Sequence, residues 1–315
     1  MAGKIQLLSD EVIGKIAAGE VVERPAAAIK ELVENSLDAG ASAVTVEIRD
    51  GGISYFRVTD NGSGIRGEDI RMAFERHATS KIRRTDDLFS IQTLGFRGEA
   101  LASIAAVAHV TCTTRTKADQ SGIKVQNNGG TIESIEEAAC PEGTTFVVRN
   151  LFFNTPVRLK FLKKPVTEAG CVSDLMMRLI LSRPDVSFRY ISQGKTLYHS
   201  AGDGKLSSAV FSIYGREMLH SMHEVDGHQA GLILKGFVGV GESGRGSRNH
   251  QSFFINGRYM KSSILSAAVE AACRERVLSG KYPTCVLHLT MPYDTVDVNV
   301  HPNKLEVRFQ NEAAV

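Results

Sequence analysis

The chain's hydrophobic and polar positions change period several times. Ser9 or Asp10 can cap a short helical pattern within LSDEVIGKIAAGEVV. Pro25 suits the first turn of a longer helix, which the pattern carries to about Ala39 with Gly40 as its stop. The period then falls to two. AVTVEIRDGG and ISYFRVTD alternate and are rich in β-branched residues, which predicts a hairpin turning at Gly51-Gly52. A helix over about Glu68 to Arg76 is expected after DNGSGI. Residues 77–99 are polar and carry no clean period, the mark of a functional lid more than of filler. Ala100 to Ala108 reads as a small-residue helix.

Four strand candidates follow, HVTCTTRT, GIKVQNNGG, GTIESIEEA and TTFVVRNLF, separated by turn signals. A helix near Ala169 to Leu181 precedes a hairpin in VSFRYISQGKTLYHS. The polar, glycine-containing stretch 200–206 marks a domain boundary. Beyond it come strands at 231–240 and 251–256, a long helix at 262–278, a strand at 284–291 and the segment DVNVHPNKLEVRF. Runs of antiparallel strands with interspersed helices predict an α+β layer, not a doubly wound parallel sheet.

Composition narrows the function. The 315 residues, 43% hydrophobic, suffice for two cored domains. A formal net charge of +2 means that any nucleic-acid contact must come from a local patch. None of the five cysteines shares a CxxC spacing, so a zinc site is not expected and a reduced compartment is. No stretch has the length and apolarity of a signal peptide or a membrane span, so the chain is read as intracellular with no membrane partner.

Candidate chemistry begins in KELVENSLDAG. At about 100° per residue, Glu31, Asn35 and Asp38 share one narrow sector with Glu34 at its edge, opposite Ile29, Leu32, Val33, Ser36 and Leu37. Spacing alone makes this sector the solvent face of an amphipathic helix, although it carries no lysine. It also suits a carboxylate that deprotonates water and, one turn on, an amide oxygen that ligates Mg²⁺. In DNGSGI, Asp60 can accept from an amino group while Gly62 and Gly64 let the backbone approach a flat ligand; a plain turn has the same composition. GFRGEAL places glycines just before a helix, as an anion site or a tight helix entry does. No Walker A loop and no GxGxxG occur.

KELVENSLDAG, DNGSGI, ATSKI with GFRGEAL, and EGTTF occur in one order. That series resembles the ATPase superfamily of gyrase, heat-shock chaperones, histidine kinases and MutL. IAAGEVVERP, RHATSKI, LGFRGEALASI, NLFFNTPVRLKFL, FFINGR and VDVNVHPNKLEVRF extend the likeness over about residues 5 to 309, to the N-terminal part of the MutL mismatch-repair family.

The resemblance implies a Bergerat-type two-layer α/β sandwich followed by an α/β domain like ribosomal protein S5 domain 2. It implies an N-terminal arm over 1–20, an ATP-binding domain over 21–205 with its lid at about 77–99, and a second domain over 206–315. Glu31 matches the general base, Asn35 the Mg²⁺ ligand and Asp60 the reader of the adenine amino group. Gly62 and Gly64 flank the base, and Thr144 holds it through water. Asp38 lies on the same acidic face. Thr79, Ser80 and Lys81 belong to the lid. Gly95, Phe96, Arg97 and Gly98, leading into Glu99, Ala100 and Leu101, match the phosphate-wrapping loop. Lys304 matches a second-domain lysine that reaches the γ-phosphate.

By the same likeness, ATP orders lid and arm and drives a homodimeric clamp on DNA, working with MutS and downstream repair factors. No nuclease motif lies in the segment. DNA candidates are Arg158, Lys160, Lys163 and Lys164, together with Arg245 and Arg248 in what reads as a flexible loop; a solvated surface accounts for each equally. Relatives often carry a basic residue where the 262 helix begins, whereas Ser262 and Ser263 stand here. The rival functions are a chaperone- or topoisomerase-type ATPase, a phosphotransfer kinase and a non-enzymatic DNA scaffold. GFRGEAL and NTPVRLKFL favour the MutL likeness over the first.

Overall fold

The computed structural model describes residues 18–19, 21–79, 98–229, 231–292, 295–297 and 308–309. They divide into two compact units. The first comprises the described residues up to Met176 together with Val186–His199; the second comprises Met177–Asp185 and the described residues from Ser200 onward.

The first unit is a mixed eight-stranded sheet carrying helices. Its strands are β1 (Ala43–Arg49), β2 (Tyr55–Asp60), β3 (His109–Arg115), β4 (Gly122–Asn128), β5 (Thr131–Ala138), β6 (Gly143–Arg149), β7 (Ser187–Ser192) and β8 (Lys195–His199), in the spatial order β5-β4-β3-β6-β2-β1-β7-β8. All neighbours are antiparallel except β1 and β7. One face is buried in strict alternation, through Val44, Val46 and Ile48 of β1, Phe56 and Val58 of β2, and Val110 and Cys112 of β3. Helices α1 (Pro25–Asp38) and α2 (Ala100–Ala106) lie against it and against each other. This is the two-layer α+β sandwich that the resemblance implies.

Helix α1 forms as its sequence predicts. Pro25 opens it and Ile29, Leu32, Val33 and Leu37 are buried. At its end Gly40 has φ +74°, donating to Leu37 O while Ala41 donates to Ser36 O, a Schellman stop that requires the left-handed glycine. The helix expected over Glu68 to Arg76 does not form; turns and one short 3₁₀ segment, Met72–Phe74, stand there. Ile70 and Phe74 are its buried apolar side chains, too few to hold a regular helix, and Arg66 pairs with Asp69 instead. Two helices follow β6: α3 (Pro156–Phe161) and α4 (Pro165–Ser182). The latter begins four residues earlier than its apolar pattern suggested.

The second unit contains α5 (Leu206–His220) and α6 (Ser263–Ala272) with a five-stranded sheet. Its strands are β9 (Met222–Gln229), β10 (Leu232–Gly239), β11 (Gln251–Ile255), β12 (Arg258–Met260) and β13 (Thr284–Thr290), ordered β12-β11-β13-β10-β9. Phe253, Ile255, Met260, Leu265, Leu287 and Leu289 form its core. Arg178 of α4, itself buried, donates to the carbonyls of Asn249 and Gln251 and to Ser252 Oγ. The expected helix over 262–278 stops at Ala272, because Arg276 and Val277 are engaged by Gly241: its N–H donates to Arg276 O at 2.7 Å and it bridges Val277. Ser262 caps α6 by accepting from Leu265 N at 3.2 Å. Two short strands, β14 (Val296–Asp297) and β15 (Arg308–Phe309), pair with each other. Among the described residues no helix is long and apolar enough to cross a membrane.

Candidate functional site

The exposed side of α1 is the first component. Glu31, Asn35 and Asp38 are half-buried on the side opposite the core. The expectation of a sector without lysine needs amendment. Lys30 Nζ lies 2.8 Å from Glu34 Oε1 and 3.7 Å from Glu31 Oε1. A lysine stem spans the turn to a residue four positions on, so Glu34 captures the ammonium. Glu34 is itself buried. Glu31 keeps 30% of its side chain exposed and stays beyond hydrogen-bond reach of Lys30.

The second component is built where β2, β6 and β3 lie side by side. Register places Asp60 opposite Thr144 and Thr144 opposite Thr114, so three polar side chains form one row across the buried face. Asp60 is 8% exposed and fully engaged. Its Oδ1 accepts from Gly62 N at 2.9 Å and Thr144 N at 3.3 Å, and its Oδ2 from Ser36 Oγ at 2.7 Å. These contacts use Asp60 as an acceptor, the single Ser36 proton lying closer to Asp60 than to Leu32 O at 3.1 Å. Periodicity places Ser36 only on the core side of α1. Its hydroxyl ties the helix of Glu31 and Asn35 to the Asp60 strand, and no periodicity could have signalled that.

The glycines shape the rim. Gly64 has φ +72°, and a Cβ there would sit 2.2 Å from Arg115 O. A Cβ on Gly62 would meet Ala39 O at 2.9 Å, close to where Ser63 N donates to that same carbonyl. Beneath the row, burial first and the Asp60 carboxylate second push the Cys112 thiol up, so it contributes no thiolate.

The third component is the entry to α2. Gly98 has φ +62°, with Ala78 O 2.5 Å from where its Cβ would be, and His77 Nδ1 lies 3.0 Å from Glu99 Oε1. Residues 77–79, including Thr79, are thus brought beside 98–99. Glu99 precedes the helix, whose first residues are Ala100 and Leu101. Ser80, Lys81, Gly95, Phe96, Arg97, Lys304 and most of the arm and lid lie outside the described residues.

The basic candidates divide. Arg158 Nη1 donates to Gly19 O at 3.0 Å and Val22 O at 3.4 Å. Arg248 forms a two-bond pair with Glu270, at 2.7 and 3.0 Å, and covers the Tyr282 ring. That carboxylate holds the Arg248 guanidinium above its ordinary range. Arg245 exchanges backbone hydrogen bonds with Tyr282, so the loop expected to be flexible is a paired segment. Lys160, Lys163 and Lys164 are exposed.

Comparisons with known proteins bear on the fold and the family. Residues 23–145 match the family described as histidine kinase-, DNA gyrase B- and HSP90-like ATPase, and residues 210–315 match the DNA mismatch repair protein C-terminal domain family. The chain is 48% identical over 307 residues to the DNA mismatch repair protein MutL of Agathobacter rectalis, covering 98% of this chain and 47% of that protein. It is 45% identical over 312 residues to the MutL of Thermoanaerobacter pseudethanolicus, covering 99% and 51%. It therefore spans about half the length of these relatives. Among solved structures, the Aquifex aeolicus MutL ATPase domain complexed with ADP is 30% identical, with a TM-score of 0.67 and coverage of 86% of this chain and 93% of that one. The N-terminal domain of a DNA repair protein reaches a TM-score of 0.81 at 25% identity, covering 95% and 93%. With a histidine kinase-, gyrase- and HSP90-like ATPase domain matched at one end, a mismatch-repair domain at the other and this likeness over nearly its full length, the chain belongs to the MutL family of DNA mismatch repair proteins.

Proposed function

We propose that this chain binds ATP in its first unit and hydrolyses it slowly, as the switch of a mismatch-repair clamp. The observation that carries the reading is Asp60. A buried carboxylate already receiving three donors presents its remaining lone pairs to an amino group, such as the one on adenine. Glu31 is the general base. Its carboxylate takes a proton from water while the water oxygen attacks the γ-phosphorus and the bond to the β-phosphate oxygen breaks, leaving ADP and phosphate.

The donor set suits Mg²⁺ carried chiefly by the nucleotide. Asn35 offers one amide oxygen a turn from Glu31, and among the described residues no cluster of three His, Cys, Asp or Glu could hold a metal alone. Bound with ATP, the ion would supply charge neutralisation at the phosphates. In this reading Asp38 supports the acidic face, Gly62 and Gly64 admit the base, and Thr144 helps hold it. The 79–81 and 95–101 segments close on the phosphates, and Lys304 from a second domain at 206–315 senses the γ-phosphate. ATP then favours a homodimer through the arm at 1–20, and the clamp meets DNA and MutS.

The test is nucleotide binding and turnover in two variants. Glu31→Ala is expected to retain ATP and lose at least a hundredfold in turnover, within the range for a general base. Asn35→Ala is expected to lose Mg²⁺-dependent binding. Equal turnover in wild type and Glu31→Ala would sink the mechanism.

A further inference from the structure

The Asp60–Thr144–Thr114 row ends on a hydroxyl with no part in the reading above. Thr114 is 1% exposed, so its hydrogen bonds are confined to protein partners. It accepts from Ile65 N at 2.9 Å. Its own proton has two acceptors in reach, Gly143 O at 3.0 Å and Thr144 Oγ1 at 3.0 Å. A hydroxyl has one proton, so these alternatives exclude each other. If Thr114 donates to Gly143, Thr144 donates back to Thr114 and offers the neighbouring site lone pairs only. If Thr114 donates to Thr144, the Thr144 hydroxyl is released to donate toward a ligand.

We propose that Thr114 is a positioning residue for base selectivity: it turns Thr144 into a donor toward a purine ring nitrogen. The proposal rests on the reading of Asp60 as the acceptor for the base's amino group. Adjacent strands place Thr144 about 5 Å from Asp60. That spacing suits one of the two ring nitrogens on either side of the amino group, N1 or N7, reached directly or through one water. Both nitrogens are acceptors, so a ligand there selects the second arrangement. The bonds then run in one direction, from Ile65 N–H to the Thr114 hydroxyl, to the Thr144 hydroxyl, to the ring, each polarising the next. An isolated lone pair at Thr144 would repel the same nitrogen. Without a ligand, the first arrangement instead ties the loop after Gly64 to the turn at Gly143, whose φ of +114° puts a notional Cβ 2.1 Å from Asp60 O.

The experiment measures Mg²⁺-dependent affinities of the whole chain for ATP, 1-deaza-ATP, 7-deaza-ATP and purine riboside triphosphate, which lacks the amino group. Wild type is expected to prefer ATP over one deaza analogue by about tenfold. Thr114→Val should weaken ATP by about the same factor and bring that ratio close to one, while Thr114→Ser restores both. Thr114→Cys, a weaker donor of similar size, gives the same reading if the valine variant does not fold. Equal weakening of ATP and both analogues, with the ratio preserved, would make Thr114 merely structural and overturn the relay. So would a wild type that ignores both deaza substitutions. Asp60→Asn separates the layers: it should abolish the preference for ATP over purine riboside triphosphate. If that preference survives, the base-site reading fails and the relay with it; if it is lost while the Thr114 ratio holds, the relay alone fails.

Discussion

Three donors converge on Asp60 from three elements, α1, the loop after β2, and β6. That convergence makes the residue an acceptor and makes its surroundings intolerant of change. Gly64 shows how intolerant. Its φ of +72° costs any other residue energy, and the Cβ of alanine would have to displace the Arg115 carbonyl. Gly64→Ala should therefore destabilise the first unit by about 2 kcal/mol or more and abolish nucleotide binding, read from denaturant midpoints and titration with ATP. Wild-type stability in that variant would mean that the loop can shift and that its geometry does not define the pocket. Asp60, Gly62, Gly64 and Thr144 were legible in the sequence as motif positions. Ser36 and Thr114 were not, because a buried hydroxyl has no periodicity of its own and acquires its role from what folds against it.

At the scale of elements, α1 was the most legible. Proline at its start, glycine after its end and a clean apolar stripe are local instructions, and the helix follows them to within a residue. Its anchoring is not local. Arg24, which precedes Pro25, lies 3.3 Å from Glu168 of α4, whose side chain is fully buried. The Lys163 amide donates to the same oxygen of Glu168 at 3.0 Å, and Arg24 also reaches Cys171 Sγ. Arg24→Ala would leave a buried carboxylate with one amide donor, and a loss of about 3 kcal/mol is expected in denaturant unfolding. Adding Glu168→Gln should recover most of it. A double variant as unstable as Arg24→Ala would show that packing, not charge, holds the helix start. Elements α3, α5 and β9 escaped the sequence reading: α3 is short with no buried side chain, and α5 is interrupted at Gly215 in a non-helical conformation. Neither presents a long unbroken stripe.

At the scale of the molecule, a net charge of +2 offers no general attraction for nucleic acid, so the distribution of basic groups decides. Arg158 and Arg248 have partners within the fold, whereas Lys160, Lys163 and Lys164 stand exposed. If the chain meets DNA through phosphates, changing these three lysines to glutamine should lower affinity and reduce the slope of log K against log salt by about one per lysine. Arg248→Ala should leave that slope unchanged and lower stability, since its guanidinium is held by Glu270. An unchanged slope in the triple variant would remove this stretch from the DNA surface.

What the amino-acid sequence determined by itself was local and periodic: the glycine-shaped loops, the α1 stripe, the hairpins and the ordered motifs that announce the family. These depend on neighbours within a few residues, where sterics and side-chain period act directly. Register, partner and length limit were decided in three dimensions. The row from Asp60 to Thr114 joins residues more than fifty positions apart, and α6 ended at Ala272 because Gly241 claimed the backbone beyond it. In each case the controlling partner is set by which backbone and side-chain donors the folded chain brings within about 3 Å of an acceptor.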